Sequence, residues 1–370
     1  MTGPADEPPQ RRTLPDLPVV DAIDELRSTL GALGRAVLVA PPGAGKTTVV
    51  PLALLDEDWL GDRRIVMLEP RRLATRAAAR RMASTTRTAV GDLVGYQTRD
   101  ERHISASTRI EVLTEGVLTR RLQNDPELPG VGIVIFDEVH ERNLTTDLGL
   151  ALALDVATSI RPDLRLLAMS ATPDTEGLSR LLDAPVITSE GRMFDVAEHW
   201  LPRSAGAARS GNPKGRRGSR TPRPGRDRIE PAVVSAVVRA LAEETGDVLV
   251  FLPGIGEIRR TEAQLAPMVD DDVDVHALAG ALTMTEQDAA LAPSPPGRRR
   301  VVLSTDISET SLTVDGVRIV VDAGLAREPR FDPRTGMTRL TTVSTSRASA
   351  EQRAGRAGRT EPGVVYRLWS

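Results

Sequence analysis

VLVAPPGAGKTTVV, residues 37–50, carries the clearest structural pattern of the sequence. Its apolar start predicts a buried β-strand, which leads through a glycine-rich turn into a helix that begins near Lys46. The backbone N–H groups of such a turn lie at the positive end of the helix dipole, where they can bind phosphate. In this pattern the lysine reaches the β- and γ-phosphates, and the hydroxyl of Thr47 ligates Mg²⁺.

Lys46 stands out because only two of the 48 basic residues are lysine, the other being Lys214 in a low-complexity stretch. A compact ammonium group suits a phosphate site, and the planar fork of arginine would be a poor substitute there. The strict pattern requires glycine where Ala40 stands, but Gly43 and Gly45 still supply the turn. The alternative is a purely structural turn that happens to carry a lysine.

The composition is that of a soluble globular protein with two domains. The chain has 370 residues, 40% of them hydrophobic and 27% charged, and a formal net charge of −3. It contains no cysteine, which excludes disulfides and cysteine-ligated metal sites. No apolar run is long enough to cross a membrane, and the polar N-terminus does not resemble a secretion signal. We therefore expect a cytoplasmic protein that does not associate with membranes.

Short runs rich in Val, Ile and Leu alternate with helix-length segments on both sides of residue 200, which predicts two α/β units with mainly parallel sheets. We expect a disordered lead-in over residues 1–18, a first domain over 19–190 and a second over 191–370. Within the second, residues 203–228 are basic and rich in Gly, Pro and Ser, which predicts a flexible insertion. This insertion is either a solvated linker or an electrostatic tether to nucleic acid. The runs that predict strands are RAVLVA (35–40), RIVMLE (64–69), RIEVLT (109–114), VGIVIF (131–136), RLLAMS (165–170), DVLVFL (247–252), DVDVHAL (272–278), RRVVLS (299–304), VRIVVDA (317–323) and VVYRLW (364–369).

VGIVIFDEVHER places Asp137 and Glu138 at the carboxyl end of a buried strand, the edge at which open α/β sheets bind ligands. Asp137 could hold Mg²⁺, and Glu138 could polarise the attacking water of an in-line phosphoryl transfer. The alternative is an ordinary charged loop after a strand. The tripeptide SAT, residues 170–172, follows another predicted strand, but on its own it is too short to indicate a function.

QRAGRAGR, residues 352–359, repeats arginine every third position, at Arg353, Arg356 and Arg359. The spacing predicts a short helix near residues 348–356 that presents its arginines on one face. Directed at a nucleotide, they would neutralise a γ-phosphate. The alternative is a solvated basic helix, although the repeated glycines would weaken such a helix without a compensating gain.

Eight blocks in this order resemble the DEAH-box helicases of superfamily 2. They are APPGAGKTT (40–48), LEPRRLATRAAARRMA (68–83), TEGVLTRRL (114–122), DEVHER (137–142), SAT (170–172), VFLPGIGEI (250–258), STDISETSLTVDG (304–316) and QRAGRAGR (352–359). The resemblance implies two tandem RecA-like P-loop domains, with ATP and Mg²⁺ bound in the cleft between them. It also implies an NTP-hydrolysing enzyme that moves along or unwinds single-stranded RNA or DNA, and we expect a monomer.

The resemblance also implies a role for each matching residue. Gly43, Ala44, Gly45, Lys46, Thr47 and Thr48 would hold the phosphates, and Thr47, Asp137 and Glu138 the metal and the water. Arg81 would stack on the base, Asp315 would contact the ribose, and His140 would link the cleft to the second domain. The second domain would supply Gln352, Arg356 and Arg359 to hydrolysis. Arg71, Arg72, Thr114 and Thr305 match positions that contact the nucleic-acid backbone, and residues 329–343 match a hairpin associated with strand separation.

Three departures from the family pattern qualify these expectations. Val139 replaces the alanine of DEAH. Asp306 replaces an asparagine that contacts a phosphodiester in the family, and a carboxylate at this position would repel the phosphate. The family also continues into further domains beyond QRAGRAGR, whereas this sequence ends at Ser370. The alternative function is therefore a nucleotide-gated clamp on nucleic acid that does not unwind it. Residues 18–39, upstream of the phosphate loop, contain no glutamine that could read adenine. We therefore expect the protein to accept NTPs other than ATP.

Overall fold

The computed structural model describes residues 12–191, 194–201, 228–308, 314–359 and 361–369. Contacts between residues divide the chain into two compact units, residues 1–192 and residues 193–370. Each unit contains its own parallel β-sheet with helices on its faces, as the alternation of apolar runs predicts. The predicted insertion lies outside the described residues up to residue 227.

The first unit alternates strands and helices along most of its length. Its elements are a 3-10 turn at Pro18–Ala22, α1 Ile23–Leu33, β1 Arg35–Val39, α2 Lys46–Ala53, β2 Arg64–Leu68, α3 Arg72–Thr85, β3 Val94–Gln97, β4 Arg102–His103, β5 Ile110–Leu113, α4 Glu115–Asn124, β6 Val131–Phe136, a 3-10 turn at Val139–Glu141, α5 Leu144–Ser159, β7 Arg165–Ser170, α6 Glu176–Leu182 and β8 Val186–Thr188.

The sheet of this unit has eight strands in the order β4-β3-β5-β2-β6-β7-β1-β8, and only the short β4 runs antiparallel. Successive residues of β2 enter two different cores: Ile65 and Met67 pack on one face of the sheet, and Val66 and Leu68 pack on the other. Burial on both faces explains why the sequence shows continuous apolar runs rather than alternation. The parallel order also brings the carboxyl ends of β5, β2, β6, β7 and β1 to one edge.

The second unit repeats this plan with six strands, all parallel, in the order β11-β12-β10-β13-β16-β9. A separate antiparallel hairpin, β14 and β15, follows β13. The elements of this unit are β9 Val196–Trp200, α7 Glu230–Glu243, β10 Asp247–Phe251, α8 Ile255–Leu265, a 3-10 turn at Ala266–Met268, β11 Val273–Leu278, α9 Met284–Leu291, β12 Arg299–Ser304, a 3-10 turn at Asp306–Ser308, β13 Val317–Asp322, β14 Leu325–Asp332, β15 Met337–Ser344, α10 Arg347–Ala354 and β16 Gly363–Arg367.

The hairpin is longer than the predicted segment 329–343, because its paired strands run from Leu325 to Ser344. Four strands, β3, β4, β8 and β9, are not predicted from the sequence, and they have two to five residues each. Three of them, β4, β8 and β9, are edge strands with mostly exposed side chains, so they lack the apolar runs by which the others were recognised.

Residues 12–18, within the predicted lead-in, make specific contacts with the first unit. The hydroxyl of Ser189 donates to the carbonyl of Pro18 at 3.0 Å, and Leu14 and Leu17 pack against the buried core of this unit. Arg12 pairs with Asp56 at 3.1 Å. The expectation of a loosely held lead-in is therefore wrong for this part, which lies against the turn that precedes α2.

Candidate nucleotide and nucleic-acid site

The turn between β1 and α2 has the backbone geometry of a phosphate loop. Gly43 and Gly45 have φ angles of +84° and +95°, in the left-handed region that favours glycine. At Gly45 a side chain is also excluded by space, since its Cβ would lie 2.8 Å from the side chain of Leu17. Ala40, which replaces the first glycine of the strict pattern, is fully buried and is not among the residues with positive φ. The substitution is therefore compatible with the loop.

The first residues of α2 contact the acidic pair that follows β6. Lys46 Nζ lies 3.2 Å from Glu138 Oε1, and both side chains are at least 96% buried. The hydroxyl of Thr47 donates to Asp137 Oδ2 at 2.6 Å. Lys46 and Asp137 lie far apart in sequence, and the sheet brings them together, as the sequence predicts. Thr48 follows in the same first turn and bonds through its backbone to Gly45.

Glu138 has a strained backbone that is consistent with a functional position. Its φ and ψ of 54° and 35° are left-handed, which is uncommon for a residue with a side chain. The conformation places its N–H within 2.9 Å of Asp137 Oδ1. It also begins the turn Val139–Glu141, and Val139, the departure from DEAH, is buried there.

The electrostatics of this cluster suit a divalent cation. Burial raises the pKa of Asp137, and the neighbouring charge of Glu138 raises it further; Lys46 and the hydrogen bond from Thr47 act in the opposite direction. Two buried carboxylates against one buried ammonium leave an excess of negative charge. The hydroxyl and carboxylate oxygens of Thr47 and Asp137 are hard ligands of the type that Mg²⁺ takes, and Mg²⁺ otherwise keeps water and phosphate oxygens. The residues present therefore fit Mg²⁺.

His140 joins the acidic segment to the SAT tripeptide. Its Nδ1 accepts a hydrogen bond from the backbone N–H of Ala171 at 3.2 Å and lies 3.3 Å from Glu138 Oε2. Burial is the largest influence on the pKa of His140 and lowers it, which favours the neutral ring that this acceptor role requires. Ser170 fixes the tripeptide by bonding to both the N–H and the carbonyl of Thr172. Sequence reasoning gave SAT no function, because its role lies in this backbone contact.

Three of the four predicted nucleic-acid contacts lie at the same edge of the first sheet. Arg71 and Arg72 follow β2, and Thr114 follows β5 and precedes α4. Arg71 pairs with Glu141 at 3.1 Å, and Arg72 pairs with the exposed carboxylate of Asp100. Both guanidinium groups are thus paired with carboxylates, and their contact with nucleic acid stays a prediction.

Arg81, predicted to stack on the base, is exposed near the C-terminal end of α3. Exposure leaves its guanidinium accessible to a ligand, and its role in stacking stays a prediction.

The arginine repeat of the second unit does not form one helical face. Helix α10 ends at Ala354, so Arg356 and Arg359 lie in the turn beyond it, and the expectation of a helix through residue 356 is wrong. Arg353 is 99% buried and pairs with Asp322 Oδ1 at 3.0 Å, and its guanidinium lies 5.0 Å from the ring centroid of Phe251. Its partners are therefore in the core, and the shared face predicted for the three arginines does not exist.

The predicted residues of the second unit lie at two different edges of its sheet. Thr305 directly follows β12 at the carboxyl edge, next to Asp306 in a short 3-10 turn. Asp315 precedes β13 at the amino edge. The turn after α10 also reaches the amino edge, because the carbonyl of Gly358 accepts from the N–H of Phe194, just before β9. Gln352 lies in α10, Arg356 is 97% buried and Arg359 is half-buried.

No helix within the part of the chain that the structure describes is both long and apolar enough to cross a membrane.

Comparison with known proteins assigns both units. Residues 19–181 match the family model for DEAD/DEAH box helicases, and residues 232–361 match the helicase conserved C-terminal domain. The ATP-dependent RNA helicase HrpB of Escherichia coli (strain K12) is 48% identical over 353 residues, which are 95% of this chain and 41% of that protein. The probable ATP-dependent RNA helicase DHX34 of Mus musculus is 38% identical over 96% of this chain and 30% of its own length.

A crystal structure of E. coli DEAH/RHA helicase HrpB superimposes with a TM-score of 0.85 at 47% identity, covering 96% of this chain and 43% of that one. A second, described as the E. coli DExH-box NTPase HrpB, gives a TM-score of 0.77. The chain thus spans less than half the length of the relatives that it matches. The matched family models, the ordered motifs and the two parallel sheets agree, and the chain belongs to the DEAD/DEAH box helicases, of which it contains the helicase core.

Proposed function

We propose that this helicase core hydrolyses nucleoside triphosphates and couples hydrolysis to movement along, or unwinding of, RNA. The observation that carries the proposal is the contact of Lys46 with Glu138 and of Thr47 with Asp137 at the end of the phosphate loop. The ammonium and both carboxylates are buried. Isolated buried charges are costly unless they serve a ligand or pair closely.

In this proposal the ion pair of Lys46 and Glu138 is present before nucleotide binds. An incoming triphosphate offers Lys46 its β- and γ-phosphate oxygens, so that the ammonium exchanges one anionic partner for another. Glu138 is then released to orient a water molecule and accept its proton as the water attacks the γ-phosphorus. Thr47 and Asp137 would hold Mg²⁺, which would neutralise charge on the β- and γ-phosphates.

The second unit supplies the remaining groups of the proposed reaction. Gln352 would help to place the water, Arg356 and Arg359 would neutralise charge that develops on the γ-phosphate, and Asp315 would bind the ribose. Arg81 of the first unit would stack on the base. The support for these roles is the match of each residue to its motif in the family.

RNA would bind through its backbone to Arg71, Arg72, Thr114 and Thr305. Such contacts read phosphate and sugar, so affinity should depend little on sequence and strongly on salt. Their support is the position of the first three at the carboxyl ends of neighbouring strands β2 and β5. Asp306 directly follows Thr305, and its carboxylate would repel a phosphate placed beside it.

We propose that the hairpin after β13 takes part in strand separation. Residues opposite each other in an antiparallel pair share a face, and one such face carries Pro329 with Leu340 and Phe331 with Thr338. Phe331 and Leu340 are 65% and 67% exposed. Exposed apolar side chains on a projecting hairpin could stack against unpaired bases.

The test is nucleotide hydrolysis with and without single-stranded RNA and DNA, using the Lys46→Ala protein as the control. We expect Mg²⁺-dependent hydrolysis that RNA stimulates, and no measurable hydrolysis by Lys46→Ala. A wild-type chain that binds RNA but does not hydrolyse any NTP would contradict the proposal.

A second candidate is a nucleotide-gated clamp that holds RNA without unwinding it, because this function needs only the nucleotide site and the backbone contacts described above. The two functions separate when RNA-stimulated hydrolysis and duplex unwinding are measured on one preparation. Hydrolysis with strand separation supports the helicase. Hydrolysis and ATP-dependent RNA retention without strand separation support the clamp.

A further inference from the structure

Arg300, in β12, and Arg353 are the two arginines among the largest fully buried side chains of the described residues, and no motif includes Arg300. Arg300 is 98% buried, yet all three nitrogens of its guanidinium donate hydrogen bonds. Its Nε donates to Asp247 Oδ2 at 2.8 Å, and Nη1 donates to the carbonyls of Ala290 and Ala292 at the end of α9. Its Nη2 donates to the backbone carbonyl of Asp315.

The last of these contacts reaches across the sheet. Arg300 lies in β12 and Asp315 precedes β13, and these strands are separated by β10 in the sheet order. The intervening strand contributes Asp247, which pairs with one end of the guanidinium while the carbonyl of Asp315 accepts from the other. A residue in one strand thus fixes the backbone of the segment that enters another.

The next peptide, between Gly316 and Val317, is held by the same cluster. The backbone N–H of Asp247 donates to the carbonyl of Gly316 at 3.1 Å. Gly316 has a φ of +82°, and a Cβ at this position would lie 3.0 Å from Asp247 Oδ2. Ser294 adds a hydrogen bond to Asp247 at 3.1 Å. Two consecutive carbonyls, those of Asp315 and Gly316, are therefore fixed by the two residues of one buried ion pair.

We propose that Arg300 is a positioning residue for ribose recognition: it fixes the backbone of Asp315 so that this carboxylate can bind the sugar hydroxyls of the nucleotide. The inference rests on the proposed function, in which Asp315 contacts the ribose. Arg300 itself does not touch the nucleotide. Because the guanidinium is planar and donates through three nitrogens, lysine could keep the pair with Asp247 but not the simultaneous bonds to the carbonyls.

Arg299 provides a matched control in the neighbouring position of the same strand. Its guanidinium also donates to backbone carbonyls at the amino edge, to Gly246 at 2.9 Å and to Leu241 at 2.8 Å. Both carbonyls belong to the end of α7 and the turn that leads into β10, so Arg299→Lys should disturb the edge without disturbing the ribose contact.

The experiment compares KM and kcat for ATP, 2′-deoxy-ATP and 3′-deoxy-ATP in the wild type, Asp315→Asn, Arg300→Lys and Arg299→Lys, with a thermal melt of each. If Asp315 binds a sugar hydroxyl, Asp315→Asn raises KM for ATP by about tenfold, the effect of losing one such hydrogen bond, and leaves KM for the matching deoxynucleotide unchanged. Arg300→Lys is expected to reproduce this pattern with kcat within about twofold, as a lost positioning contact requires. Arg299→Lys is expected to keep the wild-type preference.

The double variant Asp315→Asn/Arg300→Lys provides a further test, because the effects of substituting two residues that act through each other do not add. We expect its KM for ATP to equal that of Asp315→Asn. If Asp315→Asn loses the ribose preference and Arg300→Lys keeps it, the inference is overturned and the proposed ribose contact stands. If Asp315→Asn itself has no effect, the ribose contact fails and the inference with it, while hydrolysis by the core is unaffected. An equal loss for all three nucleotides in Arg300→Lys would overturn the inference by showing a structural role only.

Discussion

The two units share one plan but use their sheet edges differently. In the first unit most of the predicted residues lie at the carboxyl edge, where Lys46 contacts Glu138 and Thr47 contacts Asp137, while Arg81 lies near the far end of α3. In the second unit the predicted residues divide between the carboxyl edge, after β12, and the amino edge, before β13 and after α10. One unit carries a preformed polar cluster, and the other presents separate groups.

A residue type that is repeated in a motif need not have the same role at each position. Arg353, Arg356 and Arg359 look equivalent in sequence, but Arg353 pairs with Asp322 in the core and Arg356 lies beyond the end of the helix. The first unit, by contrast, brings the lysine of one motif and the acidic pair of another to the same site. Mutations of the individual arginines should therefore separate catalysis from folding.

The largest expected effect is that of Arg356→Ala. If Arg356 neutralises the γ-phosphate in the transition state, its loss should slow hydrolysis by roughly 10³–10⁵-fold, as for arginine fingers in general. Nucleotide binding, measured by fluorescence with a labelled ATP analogue, should be retained because the phosphate loop is intact. Arg347→Ala, in the exposed first turn of α10, is the control. A protein that hydrolyses ATP at the wild-type rate would remove Arg356 from the reaction.

Arg353→Met should instead act on stability. Removing the cation leaves the buried carboxylate of Asp322 without its arginine, although the N–H of Gly324 still donates to it at 2.8 Å. Breaking such a buried pair costs about 3–5 kcal/mol in the free energy of unfolding. Denaturant unfolding would measure it. Arg347→Met is the matched control, since its side chain is 95% exposed and pairs with Glu351 only at the surface.

A stable Arg353→Met protein with lost hydrolysis would contradict the structural role and return Arg353 to the set of arginines that act on nucleotide.

Lys46→Ala should weaken nucleotide binding in the first unit. A hydrogen bond to a charged group contributes about 1.5–3 kcal/mol, so we expect the Kd for ATP to rise by roughly 10–150-fold. Equilibrium titration with a non-hydrolysable analogue measures the change. The other lysine of the chain, Lys214, lies outside the described residues and offers the control Lys214→Ala. An unchanged Kd in Lys46→Ala would mean that its pairing with Glu138 is structural.

The smallest expected effect concerns the base of the nucleotide. Residues 18–39 contain no glutamine to read adenine, and stacking on Arg81 would accept any base. We expect kcat/KM for GTP and UTP within about tenfold of that for ATP, the range that one hydrogen bond would otherwise control. A four-nucleotide comparison that gives strict ATP preference would show that a base-reading contact exists elsewhere in the chain.

The sequence predicted the α/β architecture and the phosphate site because both depend on local patterns. Buried parallel strands produce apolar runs, and a glycine turn before a helix is recognisable by itself, so these patterns suffice to place Lys46 and Asp137 at one edge of the sheet. The partner of Arg353 could not be predicted, because Asp322 is 31 residues away and ends a different strand. Nor could the hydrogen bond from Ala171 to His140, since it is made by a backbone group.

The decisive variant is Glu138→Gln, because it replaces one carboxylate oxygen of the buried pair by an amide nitrogen and leaves the phosphate loop unaltered. We expect that MgATP still binds while single-turnover hydrolysis falls by roughly 10²–10⁴-fold, the usual contribution of a general base. Glu176→Gln, in the first turn of α6, serves as the control. Hydrolysis at the wild-type rate by Glu138→Gln would contradict the assignment of the acidic pair to the reaction.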